Sequence, residues 1–207
     1  MGAKIQYDTE SALGTLFTTA NFTDELHKYL GLDPAVSSAN QPLDVNDLLL
    51  SLLHIVEGDQ WRVILPKTIT LSLPYKAFCA LDNRVYLPFG EVSSITTFAY
   101  TDSSGVAQTL ASSNYTLYSE EPSFIWADNW YSVMTLSTTV PVPVTLTYTT
   151  GYTAFADIPR GTLQALKVLA YHHFVNRGDE DKPLPMAYKH HVSQDMLNHR
   201  RSLEFVT

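Results

Sequence analysis

Apolar positions recur at helical spacing in the first part of the chain, alternate in the middle, and return to helical spacing near residue 160. A short helix is predicted after Thr23, ended by Gly31, and a second helix from Asp44 to Gly58. Apolar residues cover more than half the circumference of the second helix, whereas a surface helix needs a stripe of about 100°. The second helix must therefore be covered on two sides, by its own sheet or by another subunit.

A third helix is predicted from Arg160 to Asn176, with Pro159 acceptable in its first turn. One face of this helix carries Leu163, Leu166, Leu169, Ala170 and Phe174. Because the opposite side is also apolar, two partners are needed, and we expect the sheet to cover one face and a neighbouring subunit the other. The predicted subunit interface consists of Ala165, Val168, His172 and Val175, together with Leu49 and Leu53 of the second helix.

Between Arg62 and Tyr152 the hydrophobic period changes to two, which predicts strands. The expected strands are 68–73, 85–87, 95–101, 106–110, 114–118, 124–126, 133–136 and 142–149. Such closely spaced strands with short turns, as at 102–105, are typical of an antiparallel sheet or a small sandwich. The expected fold is therefore α+β, with two N-terminal helices and a C-terminal helix packed with the sheet.

The C-terminal tail is set off from the rest by a charged break at 179–182 and by Pro183 and Pro185. It is amphipathic and mildly basic, which suits either a docking arm or a helix folded back on its own domain. We therefore divide the chain into three parts. These are an N-terminal extension (1–21), a main domain (22–177, with helices in 22–58, a β region at 62–152 and the helix 160–176) and a C-terminal docking arm (178–207).

Composition narrows the class of protein. Charged residues make up 16% of the chain, below the usual quarter, and Thr, Ser, Tyr and Asn fill the difference. This composition suits subunit contacts, which deplete Lys and Glu, and equally suits a β-rich domain. The net charge of −8 argues against gripping nucleic acid through phosphates but allows DNA to pass without adhering.

Candidate chemistry is sparse. The lone cysteine, Cys79, lies among apolar residues and fits a buried core position. No apolar run is long enough for a membrane span, and the first twenty residues do not form a signal peptide, so we expect a cytoplasmic origin and no membrane partner. Five of seven histidines fall in the last third, but no His-Glu-x-x-His pattern occurs.

We therefore expect no enzyme activity, no catalytic residues, no metal and no cofactor. Two alternatives stay open. One is a carbohydrate- or receptor-binding β module of a tail or baseplate, using Trp126, Trp130 and Tyr131. The other is a hydrolase built from the histidines and from acidic residues such as Glu120, Glu121 and Asp128.

The order of these segments resembles the head–tail connector, or adaptor, proteins of tailed bacteriophages. The similarity covers about 22–177, and residues 1–21 have no counterpart. The stretches that carry it are 23–30, 44–57, 61–64, 68–71, 85–88, 92–98 and 102–105. The most specific block runs from Val144 through Gly151-Tyr152 and Ile158-Pro159 to Arg177.

The resemblance implies a ring, usually of twelve copies, beneath the portal at the capsid vertex. Such a ring extends the DNA channel, through which the genome passes without specific binding, and offers a platform for a tail, stopper or other neck protein. The expected location is the virion neck, after assembly in the host bacterial cytoplasm. By this resemblance the C-terminal arm engages the portal through Arg200, Arg201, Leu203 and Phe205, and acidic side chains face the channel.

Overall fold

The computed structural model describes residues 2–6, 16–17, 22, 24–32, 45–60, 62–75, 78, 83–119, 123–176 and 182–193. The chain forms two compact units. The β unit contains Met1–Asp8 and Pro66–Gly151, and the helical unit contains Thr9–Leu65 and Tyr152–Thr207. Helices and antiparallel sheets occur in one chain, so the predicted α+β class is confirmed.

The β unit holds eight described strands in two antiparallel sheets. The strands are β1 (Gly2–Gln6), β2 (Lys67–Leu73), β3 (Arg84–Tyr86), β4 (Val92–Thr101), β5 (Ala107–Thr109), β6 (Thr116–Tyr118), β7 (Phe124–Trp126) and β8 (Val144–Thr150). The larger sheet has the order β1-β2-β8-β4-β5, and the smaller sheet has the order β3-β7-β6. Part of the sequence-defined extension 1–21 is therefore the edge strand β1, paired with β2 from Gly2 opposite Ser72 to Gln6 opposite Thr68.

Alternation sets the two faces of the larger sheet. In β2 and β8, buried and half-buried residues alternate along the whole strand, as a sheet with one buried face requires. The buried positions Ile69, Leu71 and Leu146 face the core. A one-residue shift in pairing would turn these side chains outward, so the hydrophobic pattern fixes the register.

The smaller sheet follows the same rule. Val85 of β3 and Ile125 of β7 are fully buried, while their strand neighbours are more exposed. Ser123, just before β7, links the sheets: its hydroxyl accepts from the Val92 amide of β4 at 3.1 Å and donates to the Ser119 carbonyl at 2.7 Å, with the Gly90 carbonyl further away at 3.2 Å. Both sheets therefore contribute to the buried interior of the β unit.

The hairpin between β4 and β5 turns at Asp102. One carboxylate oxygen accepts from the Ser104 and Val106 amides, each at 2.9 Å, and the other accepts from the Gln108 side chain. Hydrogen bonds from Gln108 first, and from those amides, hold the pKa of Asp102 below its ordinary value. Gly105 supplies the positive φ of 81° that closes the turn.

The helical unit contains α1 (Asp24–Tyr29), α2 (Val45–Gln60), α4 (Arg160–Val175) and the helical residues 186–193, here α5. A short helix, α3 (Trp130–Val133), belongs to the β unit. The core of the helical unit gathers apolar residues from α1, α2, α4 and α5, including Leu26, Leu52, Leu166 and Tyr188. The first and third predicted helices are confirmed to within one or two residues.

The second predicted helix is also confirmed to within two residues, whereas one predicted strand was wrong. The second helix does not stop at Gly58 but continues to Gln60, because Glu57, Asp59 and Gln60 all find partners within the helical unit. The predicted strand 133–136 is absent from the described structure. Asn129 caps α3 there by accepting from the Tyr131 amide, and Leu136 forms only an isolated bridge with Asp102.

Candidate interaction surfaces

An apolar patch lies on the solvent side of α4. Tyr171 and Val175 are 50% and 57% exposed, and Val168 on the same stripe is half-buried. Tyr29 of α1 is also exposed, and its ring meets the Tyr171 ring edge-on, with the centroids 6.0 Å apart. These four residues form the Tyr29–Tyr171 patch.

One ion pair places α1 alongside α4. The Lys167 ammonium lies 2.5 Å from the Glu25 carboxylate and 5.6 Å from the centre of the Phe22 ring. One turn further along both helices, Tyr29 meets Tyr171, so the two helices run in the same direction. The ion pair, together with the buried apolar residues of α1, therefore holds the two exposed tyrosines on one surface.

The residues predicted to form the subunit interface fall into two groups in the structure. Leu49, Leu53 and Ala165 are buried in the core of the helical unit, so their contacts lie within one chain and the expectation for them is corrected. The reason is that α2 and α4 pack directly on each other and cover faces that the sequence pattern had assigned to a neighbouring subunit. The other three predicted residues are Val168 and Val175, which lie on the Tyr29–Tyr171 patch, and His172.

His172 closes the end of α4. Its Nδ1 lies 3.1 Å from the Asn176 side-chain nitrogen, and that nitrogen also donates to the His172 carbonyl at 2.9 Å. Its ring meets the neighbouring His173 ring edge-on, with centroids 5.8 Å apart. Burial, and then the charge of His172, lower the pKa of His173. The helix end therefore uses His172 as a capping partner.

The described part of the C-terminal tail is folded onto the helical unit. Tyr188 and Val192 of α5 belong to its core, and the Tyr188 hydroxyl donates to Asp59 at 2.6 Å. Burial first, and then the bond to Asp59, raise the pKa of Tyr188, so the phenol stays protonated and acts as a donor. Residues 186–193 therefore agree with the second interpretation of the tail, a helix folded back on its own domain. Arg200, Arg201, Leu203 and Phe205 lie outside the described residues.

The residues proposed for chemistry do not converge where the structure describes them. No group of three His, Cys, Asp or Glu side chains suitable for a metal ion occurs among these residues. His190 and His191 have ring centres 6.1 Å apart and tilted planes. Cys79, Glu120 and Glu121 lie outside the described part, and Asp128 is exposed.

The three aromatic residues of the carbohydrate alternative have different environments. Trp130 is only 3% exposed and packs against Phe78 and Phe98, whereas Tyr131 is well exposed and Trp126 is half-buried. A sugar-stacking platform needs accessible ring faces, so Trp130 cannot take part in one.

No helix among the described residues has the length and apolar character of a bilayer-spanning segment.

The outward face of the larger sheet carries hydroxyl side chains of Thr and Ser, the residue types in which the sequence is rich. Thr68, Thr70 and Ser72 of β2 lie opposite Thr149, Thr147 and Thr145 of β8. The Thr70 and Thr147 hydroxyl oxygens are 3.4 Å apart. Part of the Thr-rich composition therefore lies on one sheet face, where β-propensity favours it.

Chains of known structure share this architecture. A chain in a structure described as the virion of a native gene transfer agent particle superposes with a TM-score of 0.66, at 19% identity over 94% of both chains. A chain from the neck of the empty particle, computed with C6 symmetry, gives 0.64 at 18% identity over 94% of this chain and 95% of that one. A chain from the neck of the native particle, computed with C12 symmetry, gives 0.63 at 18% identity over 93% and 94%.

The chain shares its fold with these gene transfer agent chains. At such low identity the likeness establishes the fold over nearly the full length of both chains. No protein-family model matches the sequence, and no curated protein matches it either.

Two residues of the Tyr29–Tyr171 patch were not among the predicted interface residues. Tyr171 lies three positions after Val168 and four before Val175, so helical spacing alone places it on their stripe. The predicted interface contains His172 instead, which is the next residue around the helix. Tyr29 lies outward beside Tyr171 because α1 pairs with α4, which helical spacing within α1 does not show.

Proposed function

We propose that this protein is a non-enzymatic subunit of a virion neck, where copies of it form the adaptor ring between portal and tail. The single observation that carries the proposal is the fold shared with neck chains of gene transfer agent particles over more than nine-tenths of both chains. One of those necks was computed with C12 symmetry, which agrees with a dodecamer. The order of sequence segments, which resembles phage adaptor proteins, supports the same role independently.

The Tyr29–Tyr171 patch is suited to a contact between copies. Neighbours in a cyclic ring meet through two different surfaces, so each copy must present at least one exposed patch to the next. Tyrosine is enriched at interfaces because its ring contributes a large contact area at a small cost in conformational entropy. The patch places two tyrosines and two valines together, with the edge-on tyrosine pair holding their geometry.

Charge agrees with a channel through which DNA slides. The chain carries −8 overall, so a ring of many copies is strongly acidic and repels phosphates at long range. We propose that genomic DNA passes through the ring without specific binding and that acidic side chains face the channel. A ring whose lumen is positively charged would contradict this part of the proposal.

The ring contact is tested by charge insertion. Tyr171→Glu and Val175→Glu place a carboxylate in the patch, and Val106→Glu is the matched control on an equally exposed apolar residue of the β unit. Native mass spectrometry and electron microscopy of neck particles would show wild type and the control in rings, with the patch variants folded but excluded. Normal rings from both patch variants would remove the patch from the contact, and absence of the wild-type protein from the neck would refute the function itself.

Portal binding is proposed for the tail beyond α5. The truncation that tests it should follow Ser193, since an earlier cut removes Tyr188 and Val192 from the core. We expect the truncated protein to keep its thermal stability and to lose portal pull-down. Undiminished pull-down would show that Arg200, Arg201, Leu203 and Phe205 do not form the portal contact.

A further inference from the structure

The outer face of the smaller sheet carries an unusual set of side chains. Strand alternation buries Val85 and Ile125 and turns their neighbours outward. Pairing places Arg84 opposite Trp126, and Trp126 opposite Thr116. It also places Tyr86 opposite Phe124, and Phe124 opposite Tyr118. We name this set the aromatic face: Arg84, Tyr86, Thr116, Tyr118, Phe124 and Trp126.

These side chains form an ordered stack. The Tyr118 and Phe124 rings are nearly parallel, with centroids 4.6 Å apart and planes at 14°, and Tyr86 lies 5.7 Å from Phe124 on the other side. The Arg84 guanidinium carbon lies 5.2 Å from the Phe124 centre. Cross-strand aromatic pairs stabilise a sheet, but that role requires no exposed arginine. Tyr118 is nevertheless 47% exposed, so the stack ends at an open surface.

Arg84 is the distinctive member of the aromatic face. No described residue offers its guanidinium a hydrogen bond or an ion pair. A guanidinium that rests on a ring keeps its donor edge free and loses little further entropy when it binds a carboxylate in a two-point geometry. Among the described residues the stack therefore presents an oriented guanidinium without an acidic partner, beside apolar rings.

We propose that the aromatic face docks an acidic protein segment, in which a carboxylate pairs with Arg84 while a neighbouring apolar side chain packs on Tyr118 and Trp126. Arginine, tyrosine and tryptophan are the residues that dominate binding energy at protein interfaces. Both outer strands of this sheet, β3 and β6, are edges within the described structure, so an extended segment can also pair with the backbone.

Two other ligand classes fit the aromatic face less well. A sugar needs a free ring face, but Phe124 is approached by Tyr118 and Arg84 from the strands on either side. Nucleic acid needs several cations, but the other described charged residues of the β unit are three acids, the buried Lys67, and Lys4 on an edge strand of the other sheet. The proposal does not depend on the neck role, because it concerns the binding chemistry of one face.

The test is a titration of the ¹⁵N-labelled full-length protein followed by amide chemical shifts. The probes are two peptides of matched length, one alternating Glu with Phe and Leu, the other with each Glu replaced by Lys. We expect the acidic probe alone to shift amides of β3, β6 and β7. Arg84→Gln should weaken its affinity at least about tenfold, the equivalent of one lost charged hydrogen bond.

Three further variants test which side chains of the aromatic face bind the acidic peptide. Arg84→Lys should bind more weakly than wild type because an ammonium cannot form the two-point pair. Tyr118→Ser should weaken binding with Arg84 intact, whereas the exposed Arg160→Gln control should change nothing. Unchanged melting temperatures would show that the variants are folded.

Four results would overturn the proposal. They are equal shifts from the lysine probe, shifts outside the aromatic face, no shift from either peptide at millimolar concentration, and a response of the same amides to a chitin oligosaccharide or to single-stranded DNA but not to the acidic peptide. Since none of these measurements uses neck particles, failure here leaves the proposed function to be judged by its own experiment.

Discussion

Tyr188 donates a 2.6 Å hydrogen bond to Asp59, joining two helices whose residues are 129 positions apart in sequence. Gln60, the next residue of the same turn, accepts from the Thr162 hydroxyl at 3.3 Å. Glu57, three residues before Gln60 in this last turn, accepts from the Ile64 amide beyond the end of α2. The last turn of α2 thus anchors α5, α4 and its own outgoing segment, which explains why α2 continues past Gly58.

The first prediction concerns the bond between Tyr188 and Asp59. Tyr188→Phe removes only the hydroxyl and should lower the free energy of unfolding by about 1 kcal/mol, because Asp59 is exposed and water replaces the donor. Tyr188→Ala also leaves a core cavity and should cost about 3–5 kcal/mol. Urea unfolding measures both. The exposed Tyr171→Phe is the control, and an equal loss in that variant would contradict a role for the Asp59 bond.

Hydrogen exchange resolves where this effect acts. In Tyr188→Phe, the amides of 186–193 should exchange faster than those of α4, since α5 is held by few core residues. Local unfolding of the described helical unit would then begin at its C-terminal helix, α5. Uniform acceleration across both helices would show instead that α5 unfolds only with the whole unit.

Sequence patterns predicted elements well where the contacts are local. Alternation over 68–73 and 142–149 located β2 and β8 within two residues, since one face of each strand is buried. The predicted strand 133–136 failed because capping by Asn129 favours a helical turn at Trp130, which hydrophobic spacing does not show. Strand β1 was missed because Gly2–Gln6 has little apolar alternation and depends on pairing with β2.

The second prediction concerns Glu57. Its buried carboxylate accepts from the Ile64 amide at 2.7 Å and the Leu65 amide at 3.2 Å. Glu57→Ala leaves both buried donors without that acceptor and should lower the free energy of unfolding by about 2–3 kcal/mol. Glu57→Gln keeps one accepting oxygen and should cost less. Thermal and urea unfolding compare these variants with the exposed Glu91→Gln, which should stay within about 0.5 kcal/mol of wild type.

Interaction surfaces were harder to predict than elements. Helical spacing identified two apolar faces on α4 but could not say which one α2 would cover, and Ala165 was therefore assigned to a subunit contact. The aromatic face was not foreseen, because its members come from three strands and meet only through register. Of its residues, sequence reasoning singled out Trp126 alone, for a carbohydrate site that the burial of Trp130 disfavours.

The third prediction concerns pH. Burial, with a smaller effect from His172, lowers the pKa of His173 below its ordinary 6.5 in the folded protein. Below that pH the unfolded chain binds a proton more readily than the folded one, so stability is full above pH 6.5 and is lost as pH falls through the folded pKa. His173→Gln should therefore lose less stability between pH 7.5 and pH 5 than wild type. The same slope in both proteins, with His190→Gln as control, would count against this assignment.

The last prediction uses the unequal burial of Lys167 and Glu25, whose side chains are 8% and 61% exposed. Removing the exposed partner should be the more harmful change, because it leaves a buried ammonium without its carboxylate. Glu25→Ala should therefore lower the free energy of unfolding by about 1–2 kcal/mol, with screening by water keeping it below the value for a fully buried pair. Lys167→Met keeps the volume and the contact with the Phe22 ring, so it should cost less than about 1 kcal/mol.

The double variant separates charge from packing. If the harm of Glu25→Ala comes from the stranded ammonium, adding Lys167→Met should restore most of the lost stability, a coupling that urea unfolding of the four proteins measures directly. Because the same pair places Tyr29 beside Tyr171, Glu25→Ala should also loosen the patch, and a nuclear Overhauser effect between the two rings should weaken. Equal costs for both single variants, with no recovery in the double variant, would mean that the pair contributes packing alone.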